Sequence, residues 1–162
     1  MNYIEFRSAA HRHLLTCQSM CAALTGISNE EEKNALLLDI YYLSGYIIET
    51  LLSYAFFSSC DRITRTKPVE DHPEYDKGFK THNFQAKINF LRKHRCSLDG
   101  MIFFSRKHPD KRFMDLYNNW QVELRYLSLR NIGIKYKIDE QLIKGYIESL
   151  KELESQINKK YI

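Results

Sequence analysis

The feature that most constrains this chain is a long apolar stretch, residues 35–57, with the sequence ALLLDIYYLSGYIIETLLSYAFF. Only two acidic residues, Asp39 and Glu49, interrupt it. Its apolar residues fall on nearly every side of a helical wheel, whereas a surface helix keeps a polar stripe. The stretch therefore predicts a helix that is buried on all sides, with the remaining chain packed around it.

A membrane span is the alternative for this stretch, because it is long enough to cross a bilayer. Each of its two carboxylates would cost about 2.5–3.5 kcal/mol near the centre of a spanning helix. The chain also has few other apolar runs from which a membrane bundle could form. We therefore predict a core helix and no membrane span. Its start is predicted from Ser28 and Glu31, which have capping-box spacing.

The chain of 162 residues has the length of one domain, and we predict a single domain over residues 1–162. Glycine and proline are scarce, with six and three residues, and no segment alternates cleanly between apolar and polar positions. This composition favours helices over strands. We predict an all-α fold, a five-helix and mostly antiparallel (up-and-down) bundle.

The first and last helices have clear signals. The first is predicted over residues 3–24, and a short turn at residues 25–27 should return the chain antiparallel along the central helix. The last opens at Asp139 and Glu140 and carries one apolar stripe. The residues expected inside are Ile4, Leu14, Leu15, Cys21 and Leu24 of the first helix and Leu142, Tyr146, Leu150, Leu153 and Ile157 of the last.

The middle of the chain is less regular. Residues 61–81 are too polar for a core and predict a long surface loop, either plain or in contact with a ligand or partner. A third helix is predicted from about residue 81 to residue 94. Residues 101–104, MIFF, must be covered either by packing inward or by a dimer interface. A fourth helix is predicted to begin near Pro109, to continue through Trp120 and Leu127, and to end at Gly133.

The charge of the chain is unevenly distributed. The net charge is +4, yet residues 85–112 hold eight lysines and arginines against two acidic residues, which gives +6 there and −2 elsewhere. Such a window is either a solvated face or a patch that binds nucleic acid or an acidic partner. The patch consists of Lys87, Arg92, Lys93, Arg95, Arg106, Lys107, Lys111 and Arg112.

The four cysteines, Cys17, Cys21, Cys60 and Cys96, lie in apolar helical surroundings and are predicted to be reduced. Together with the lack of a secretory signal, this predicts a cytoplasmic location. His13, Cys17 and Cys21 follow one another every fourth residue, but the outer two would lie about 12 Å apart along a helix axis. One zinc ion could not join all three, so no metal site and no cofactor is predicted.

Four segments together resemble the HEPN family, the "higher eukaryotes and prokaryotes nucleotide-binding" helical domains, and in particular its nucleotidyltransferase-associated branch. Residues 42–52, YLSGYIIETLL, resemble the wording of that family's second helix. The tetrapeptide Thr81-His82-Asn83-Phe84 is similar to the "GHDL" start of its third helix. Trp120 with Arg125-Tyr126 resembles the "RY" element, and residues 138–157 resemble the closing helix.

Many HEPN proteins are metal-independent ribonucleases that use an Arg-x4–6-His motif on the fourth helix of a dimer. In such a site an imidazole transfers protons and a guanidinium stabilises the phosphoryl transition state. This chain departs from the motif, because Arg130 is followed by Lys135 and Tyr136 where a histidine is needed. A lysine of ordinary pKa near 10.4 is a poor general base at neutral pH. Arg130, Lys135 and Tyr136 are therefore the candidate catalytic residues of a divergent enzyme only.

Glu49 needs a partner, because an isolated carboxylate in a core would cost several kcal/mol. The resemblance places Arg125 on a facing helix, so a Glu49–Arg125 pair is expected. This pair is either structural or part of a polar pocket for a nucleotide or RNA. The pocket would also include Asp39, Tyr126 and Arg130, although Asp39 could equally lie in water at the end of the bundle.

The resemblance and the altered motif together predict a non-catalytic or accessory HEPN-like domain. It would bind a partner protein, such as a nucleotidyltransferase, or a nucleotide or RNA ligand, as a homodimer and in a bacterial toxin–antitoxin or defence system. Two alternatives stay open. One is a divergent metal-independent ribonuclease, and the other is a structural dimerisation module.

Overall fold

The structure, a computed structural model, describes residues 2–59, 67–105, 110–127 and 137–161. These residues form helices and contain no strand, so the predicted all-α class is confirmed. The number of helices in the whole chain, five by our prediction, stays a prediction. The described α-helices are α1 (Tyr3–Leu24), α2 (Glu30–Ser59), α3 (Phe84–Lys93), α4 (Lys111–Asn119) and α5 (Glu140–Lys160), accompanied by shorter helical turns at Val69–Asp71, Tyr75–Phe79 and Val122–Tyr126.

Helix α2 is the centre of the fold. Most of its side chains between Leu37 and Phe57 are buried, as its apolar wheel predicts. Its N-cap is Asn29, whose side-chain oxygen accepts the amide N–H groups of Glu31 (2.9 Å) and Glu32 (3.1 Å). The predicted Ser28 cap is therefore wrong by one position. The capping oxygen has to come from the residue directly before the first helical turn, and that residue is Asn29.

By length and composition alone, α2 could also cross a membrane. However, 56% of its most apolar stretch is buried inside the protein, which is the behaviour of a core helix. One such helix is weak support for a membrane protein, and the absence of a membrane span stays a prediction.

Helices α1 and α2 form the predicted antiparallel hairpin. Near the start of α1 the ring of Tyr3 stacks on that of Tyr54 at 6.1 Å. Towards the other end Cys17 lies 3.8 Å from the carbonyl oxygen of Ile40. Because the connection after α1 is short, α2 has to run back along α1.

Helix α5 completes the bundle and runs parallel to α2. Lys33 pairs with Glu140 (3.0 Å) near the start of both helices, and the Tyr54 hydroxyl donates to the carbonyl of Tyr161 (2.8 Å) near their ends. This pair is parallel, and the mostly antiparallel arrangement of the whole bundle stays a prediction. The predicted apolar stripe of α5 is buried, and Asp139 caps the helix.

Helix α3 begins as predicted, with Asn83 accepting the amide N–H of Ala86 (2.9 Å). The described part of the preceding segment, residues 67–81, is less exposed than a plain surface loop. Val69 and Phe79 are buried, and the Phe79 ring stacks on Phe56 of α2 at 4.4 Å. The prediction that this segment stays out of the core is therefore wrong for these two residues, because the helical turns place them against α2.

The predicted fourth helix is too long. Helix α4 ends at Asn119, and Trp120 has extended backbone dihedrals (φ −67°, ψ 135°). The chain resumes only as the short turn Val122–Tyr126. Trp120 breaks the helix because its indole N–H donates to the carbonyl of Tyr42 (3.0 Å), which anchors the residue on α2.

Residues 101–104 pack inward rather than forming an exposed patch. Met101 and Phe103 are buried, and Ile102 and Phe104 are half-buried against the core. Of the two predicted ways to cover this segment, the structure shows the first.

Two residues of α1 were expected in the core and are not there. Ile4 and Leu15 are 50% and 51% exposed and border a shallow groove between α1 and α5. The pattern of apolar residues along a helix does not show which side of the helix the other helices leave exposed to solvent. Cys17, Cys21 and Cys96 are buried and free, as predicted, whereas Cys60 lies outside the described residues.

Candidate functional site

A polar cluster forms where the start of α3 meets the middle of α2. Its centre is the carboxylate of Glu49, whose side chain is only 13% exposed. One carboxylate oxygen lies 2.7 Å from His82 Nδ1, and the other lies 3.8 Å from Lys87 Nζ. The predicted pairing of Glu49 with Arg125 is therefore wrong. The partners come from the segment before α3 and from α3 itself, because that helix packs directly on α2.

Lys87 is the unusual member of this cluster, because its side chain is 0% exposed. Its ammonium group donates to the carbonyl oxygen of Phe79 (2.8 Å) and lies 5.1 Å from the centre of the Phe79 ring. Burial lowers the pKa of Lys87 to about 8, and the nearby Glu49 carboxylate opposes that shift. The prediction that Lys87 belongs to a surface patch for nucleic acid is therefore wrong.

His82 is the exposed member, with 45% of its side chain accessible. In the tautomer that carries its proton on Nδ1, His82 donates to Glu49 and leaves Nε2 as an acceptor. An edge-to-face contact with the Tyr46 ring, with 5.7 Å between the ring centres, also holds the imidazole in place. The Tyr46 hydroxyl is in turn hydrogen-bonded to the Tyr42 hydroxyl (2.8 Å).

A cleft of about 520 Å³ adjoins His82, and we call it the amide cleft. Its volume is that of a pocket for a small organic ligand. The lining is dominated by side-chain amides and aromatic rings, with one carboxylate. The amides belong to Asn83, Gln85, Asn118 and Gln121, the rings to Phe84, Tyr117 and Trp120, and the carboxylate to Glu123.

The aromatic wall of the amide cleft is a stack of three rings. Phe84 lies between Trp120 (4.8 Å, 8° between planes) and Tyr117 (5.6 Å, 26°). Gly45 makes room for this stack, since a Cβ atom there would lie 1.8 Å from Cε2 of Trp120. Gly45, which belongs to the segment that resembles the second HEPN helix, thus has a packing role, because it lets the indole of Trp120 come close to α2.

The other predicted pocket residues lie at the edge of this site or away from it. Asp39 is exposed and precedes Glu49 by ten residues on α2, which is about 15 Å along the axis. Arg125 is exposed, with its guanidinium 4.6 Å from the Tyr126 ring, and Tyr126 is 75% exposed. Arg125 is close enough to Tyr46 to act on it electrostatically. Asp39 and Tyr126 therefore do not join Glu49 in one pocket.

The catalytic candidates Arg130, Lys135 and Tyr136 lie outside the described residues, and so do Arg106 and Lys107 of the predicted patch. Of that patch, the exposed members are Arg92, Lys93 and Arg95 at the end of α3 and Lys111 and Arg112 at the start of α4. Arg112 is paired with Asp110 (2.9 Å). Within the described ranges no three histidine, cysteine or acidic side chains come together as metal ligands would.

Sequence reasoning missed His82 as a site residue. In the sequence, His82 stands out only as one residue of the tetrapeptide at the start of the third helix. That tetrapeptide was the signal. His82 directly precedes the N-cap of α3, and a histidine at that place can contact a buried acidic residue on the helix against which α3 packs. The amides of the cleft carry no signal of their own, since asparagine and glutamine are ordinary surface residues.

No family model, curated protein or solved structure matches this chain.

Proposed function

We propose that the chain is an accessory, HEPN-like domain that binds a nucleotide-containing ligand in the amide cleft. The observation that carries the proposal is the composition of the cleft, which combines four side-chain amides, a stack of aromatic rings and the imidazole of His82. Asn83 Oδ1 already caps α3 and Gln85 Nε2 already donates to Asn89. The amides of Asn118 and Gln121 are therefore the ones that can present a donor and an acceptor side by side to the edge of a nucleobase. The three aromatic rings of the lining are buried and stacked on one another, so the ring on which an unpaired base can stack is that of His82.

The ionic cluster behind the cleft supports this function by holding His82 still. The Glu49 carboxylate fixes one ring nitrogen at 2.7 Å, and the buried Lys87 fixes the carboxylate from the other side. A ring that is already ordered loses little conformational entropy when a ligand binds, which favours affinity.

The test uses the fluorescence of Trp120, which is the single tryptophan of the chain and borders the cleft. The protein is titrated with the four ribonucleoside monophosphates and with a mixed single-stranded RNA. We expect saturable changes that are weakened about 10-fold by Gln121→Ala, because a lost hydrogen bond costs about 1–1.5 kcal/mol.

The matched control is Gln141→Ala, which removes an exposed glutamine on α5 away from the cleft. This variant should bind like the wild type. Failure of all five titrants to give a saturable change, or an equal loss of affinity in both variants, would refute binding in the amide cleft.

The remaining parts of this proposal come from the HEPN resemblance. They are a homodimer, a nucleotidyltransferase as the partner protein and a role in a bacterial toxin–antitoxin or defence system. The proposed cytoplasmic location comes instead from the cysteines of the sequence. Sedimentation equilibrium over a range of protein concentrations tests the dimer, and a mass that stays that of one chain would remove it from the proposal. A structural dimerisation module would give the dimer without any binding of nucleotides.

A metal-independent ribonuclease is the second candidate, and the Glu49–His82 contact favours it. In this reaction Nε2 of His82 takes the proton of an RNA 2′-hydroxyl, and the 2′-oxygen attacks the adjacent phosphorus. The bond from phosphorus to the 5′-oxygen breaks, and that oxygen takes a proton from water. The products are a 2′,3′-cyclic phosphate and a 5′-hydroxyl, and the imidazolium returns its proton to solvent.

Incubation with total RNA and mixed tRNA in EDTA tests this second candidate. His82→Ala and Arg130→Ala are compared with the wild type. Cleavage that His82→Ala abolishes would favour the enzyme with His82 as its base. Cleavage lost only in Arg130→Ala would assign the reaction to the segment with Lys135 and Tyr136. No cleavage at high protein concentration would leave the binding domain as the better proposal.

A further inference from the structure

The exposed side of α1 forms one wall of the groove that this helix shares with α5, and we call it the α1 groove. Its volume is about 790 Å³. Among the described residues its lining runs along α1 from Ile4 to Met20, and Glu154 is the contribution of α5. From Ile4 to Met20 a helix advances about 24 Å. The groove is therefore elongated, with the length of about four helical turns.

The side chains that line the α1 groove repeat with the period of a contact between helices. Ile4, Ser8, His11, Leu15 and Ser19 are separated by four, three, four and four residues, which places them in one stripe along α1. Ile4 and Leu15 are 50% and 51% exposed, and in the described ranges they are two of the three exposed large apolar side chains. The small serines beside them leave space for the side chains of another helix.

The charge of the α1 groove selects the kind of helix that fits it. Arg7 and Arg12 line the groove and are exposed, and neither forms an ion pair with another described residue. The one acidic residue of the described lining, Glu154, is only 11% exposed and is already paired with His11 (3.1 Å). Glu5, which is nearby on α1, is engaged in the cap of that helix. Carboxylates of a partner would therefore find two unpaired guanidinium groups there.

A second copy of this chain fits the α1 groove poorly. Two copies related by a two-fold axis bring the same face of each together, so Arg7 and Arg12 would meet arginines of the other copy. The described lining has no unpaired carboxylate to accept them, and like charges across an interface oppose association. The proposed homodimer would therefore use another surface.

A membrane surface also fits less well than a helix. A helix that lies in a membrane interface presents a broad apolar face. In the α1 groove the two exposed large apolar residues, Ile4 and Leu15, are about 16 Å apart along the axis, and His11 lies between them. Both also border a groove, which a rod-shaped partner can enter.

We propose that the α1 groove binds an acidic amphipathic helix of a partner protein. Apolar residues of that helix, spaced by three and four, contact Ile4, Leu15 and Met20. Acidic residues beside its apolar stripe pair with Arg7 and Arg12. This inference goes beyond the proposed function, because it concerns a surface that does not include the amide cleft.

The test uses three fluorescein-labelled synthetic peptides of about three heptads each, which form a helix about 30 Å long. All three carry the same leucines and alanines in the apolar stripe. The positions beside the stripe are all glutamate, all glutamine or all lysine. Fluorescence anisotropy measures the affinity of each labelled peptide for the whole protein, and circular dichroism of the free peptides corrects for differences in helicity.

We expect saturable binding of the glutamate peptide, about 5-fold tighter than that of the glutamine peptide, because two exposed ion pairs supply about this factor. The lysine peptide should bind most weakly, and added salt should reduce the differences. Leu15→Ala should weaken the glutamate and glutamine peptides alike by about 5-fold, since half of the Leu15 side chain is open to burial.

The two arginines are tested together. Arg7→Gln combined with Arg12→Gln should remove the preference for glutamate and leave the affinity for the glutamine peptide unchanged. The matched control combines Arg92→Gln with Lys93→Gln, which removes the same charge from exposed residues of α3 outside the groove. This control should keep the preference.

Three outcomes would refute the proposal: no saturable binding of the glutamate peptide, equal binding of the glutamate and lysine peptides, or the same preference in both double variants. Vesicles of phosphatidylcholine and phosphatidylglycerol are a further probe. Binding to them that Leu15→Ala abolishes would assign the groove to a membrane surface instead. A dimer in sedimentation that Leu15→Ala converts to a monomer would assign it to a second copy. None of these outcomes bears on the amide cleft.

Discussion

Replacing Lys87 by methionine should change how the stability of the protein depends on pH. In the folded protein the pKa of Lys87 is lowered from 10.5 to about 8, chiefly because its side chain is buried. Between these two pH values the unfolded chain binds more protons than the folded chain. The free energy of unfolding therefore rises with pH in this window.

The size of the effect follows from the two pKa values. Each pKa unit corresponds to about 1.36 kcal/mol, so the whole window from 8 to 10.5 is worth about 3 kcal/mol. Between pH 8 and pH 9.5, where fewer tyrosines titrate, the free energy of unfolding should rise by about 2 kcal/mol because of Lys87 alone. Lys87→Met has no group to titrate there, and loss of the contact with Glu49 shifts its curve without adding this slope.

Urea unfolding, followed by circular dichroism from pH 7 to pH 9.5, measures the effect. The quantity of interest is the difference in unfolding free energy between wild type and Lys87→Met at each pH, because other titrating groups cancel in it. Lys93→Met, which replaces an exposed lysine on the same helix, is the control and should show no such trend. A difference between wild type and Lys87→Met that stays constant within about 0.5 kcal/mol would refute the reasoning.

Two further predictions concern packing and hydrogen bonding. Gly45→Ala should destabilise the fold by about 2–3 kcal/mol and shift the fluorescence of Trp120, because a Cβ atom would lie 1.8 Å from the indole ring. The control is Gly26→Ala, where the nearest atom would lie 3.8 Å from the new Cβ, and it should be close to neutral in thermal unfolding. Tyr117→Phe should leave the stability unchanged or raise it, since that buried hydroxyl has no hydrogen-bond partner among the described residues. By contrast, Tyr41→Phe should cost about 1 kcal/mol, because its hydroxyl donates to a carbonyl of α4 (2.8 Å); equal effects of the two tyrosine substitutions would contradict this.

Much of the fold was predictable because it depends on neighbouring residues. Four helices, α1, α2, α3 and α5, start close to the predicted positions. The apolar stripe of α5 is buried, as its spacing indicates. These features need only a capping side chain and a repeat of about 3.6 residues. The length of α4 was not predictable in this way. It depends on a hydrogen bond from Trp120 to Tyr42, which is 78 residues away in the chain.

The candidate site was less predictable than the fold. That Glu49 needs a partner follows from its place in an apolar stretch, and the structure provides two, His82 and Lys87. Their identity does not follow, because His82 and Lys87 meet Glu49 only when α3 packs on α2. For the same reason Lys87 has the sequence context of a surface lysine and the environment of a core residue.

The sequence by itself determined the all-α class, the buried central helix and the uneven distribution of charge, since these follow from composition and local periodicity. Only the tertiary structure decided which charges face water and which are buried, and which distant side chains share a cleft. The physical reason is that the pKa of Lys87, the pairing of Glu49 and the lining of the amide cleft depend on distances between helices. A residue pattern along one helix does not contain those distances.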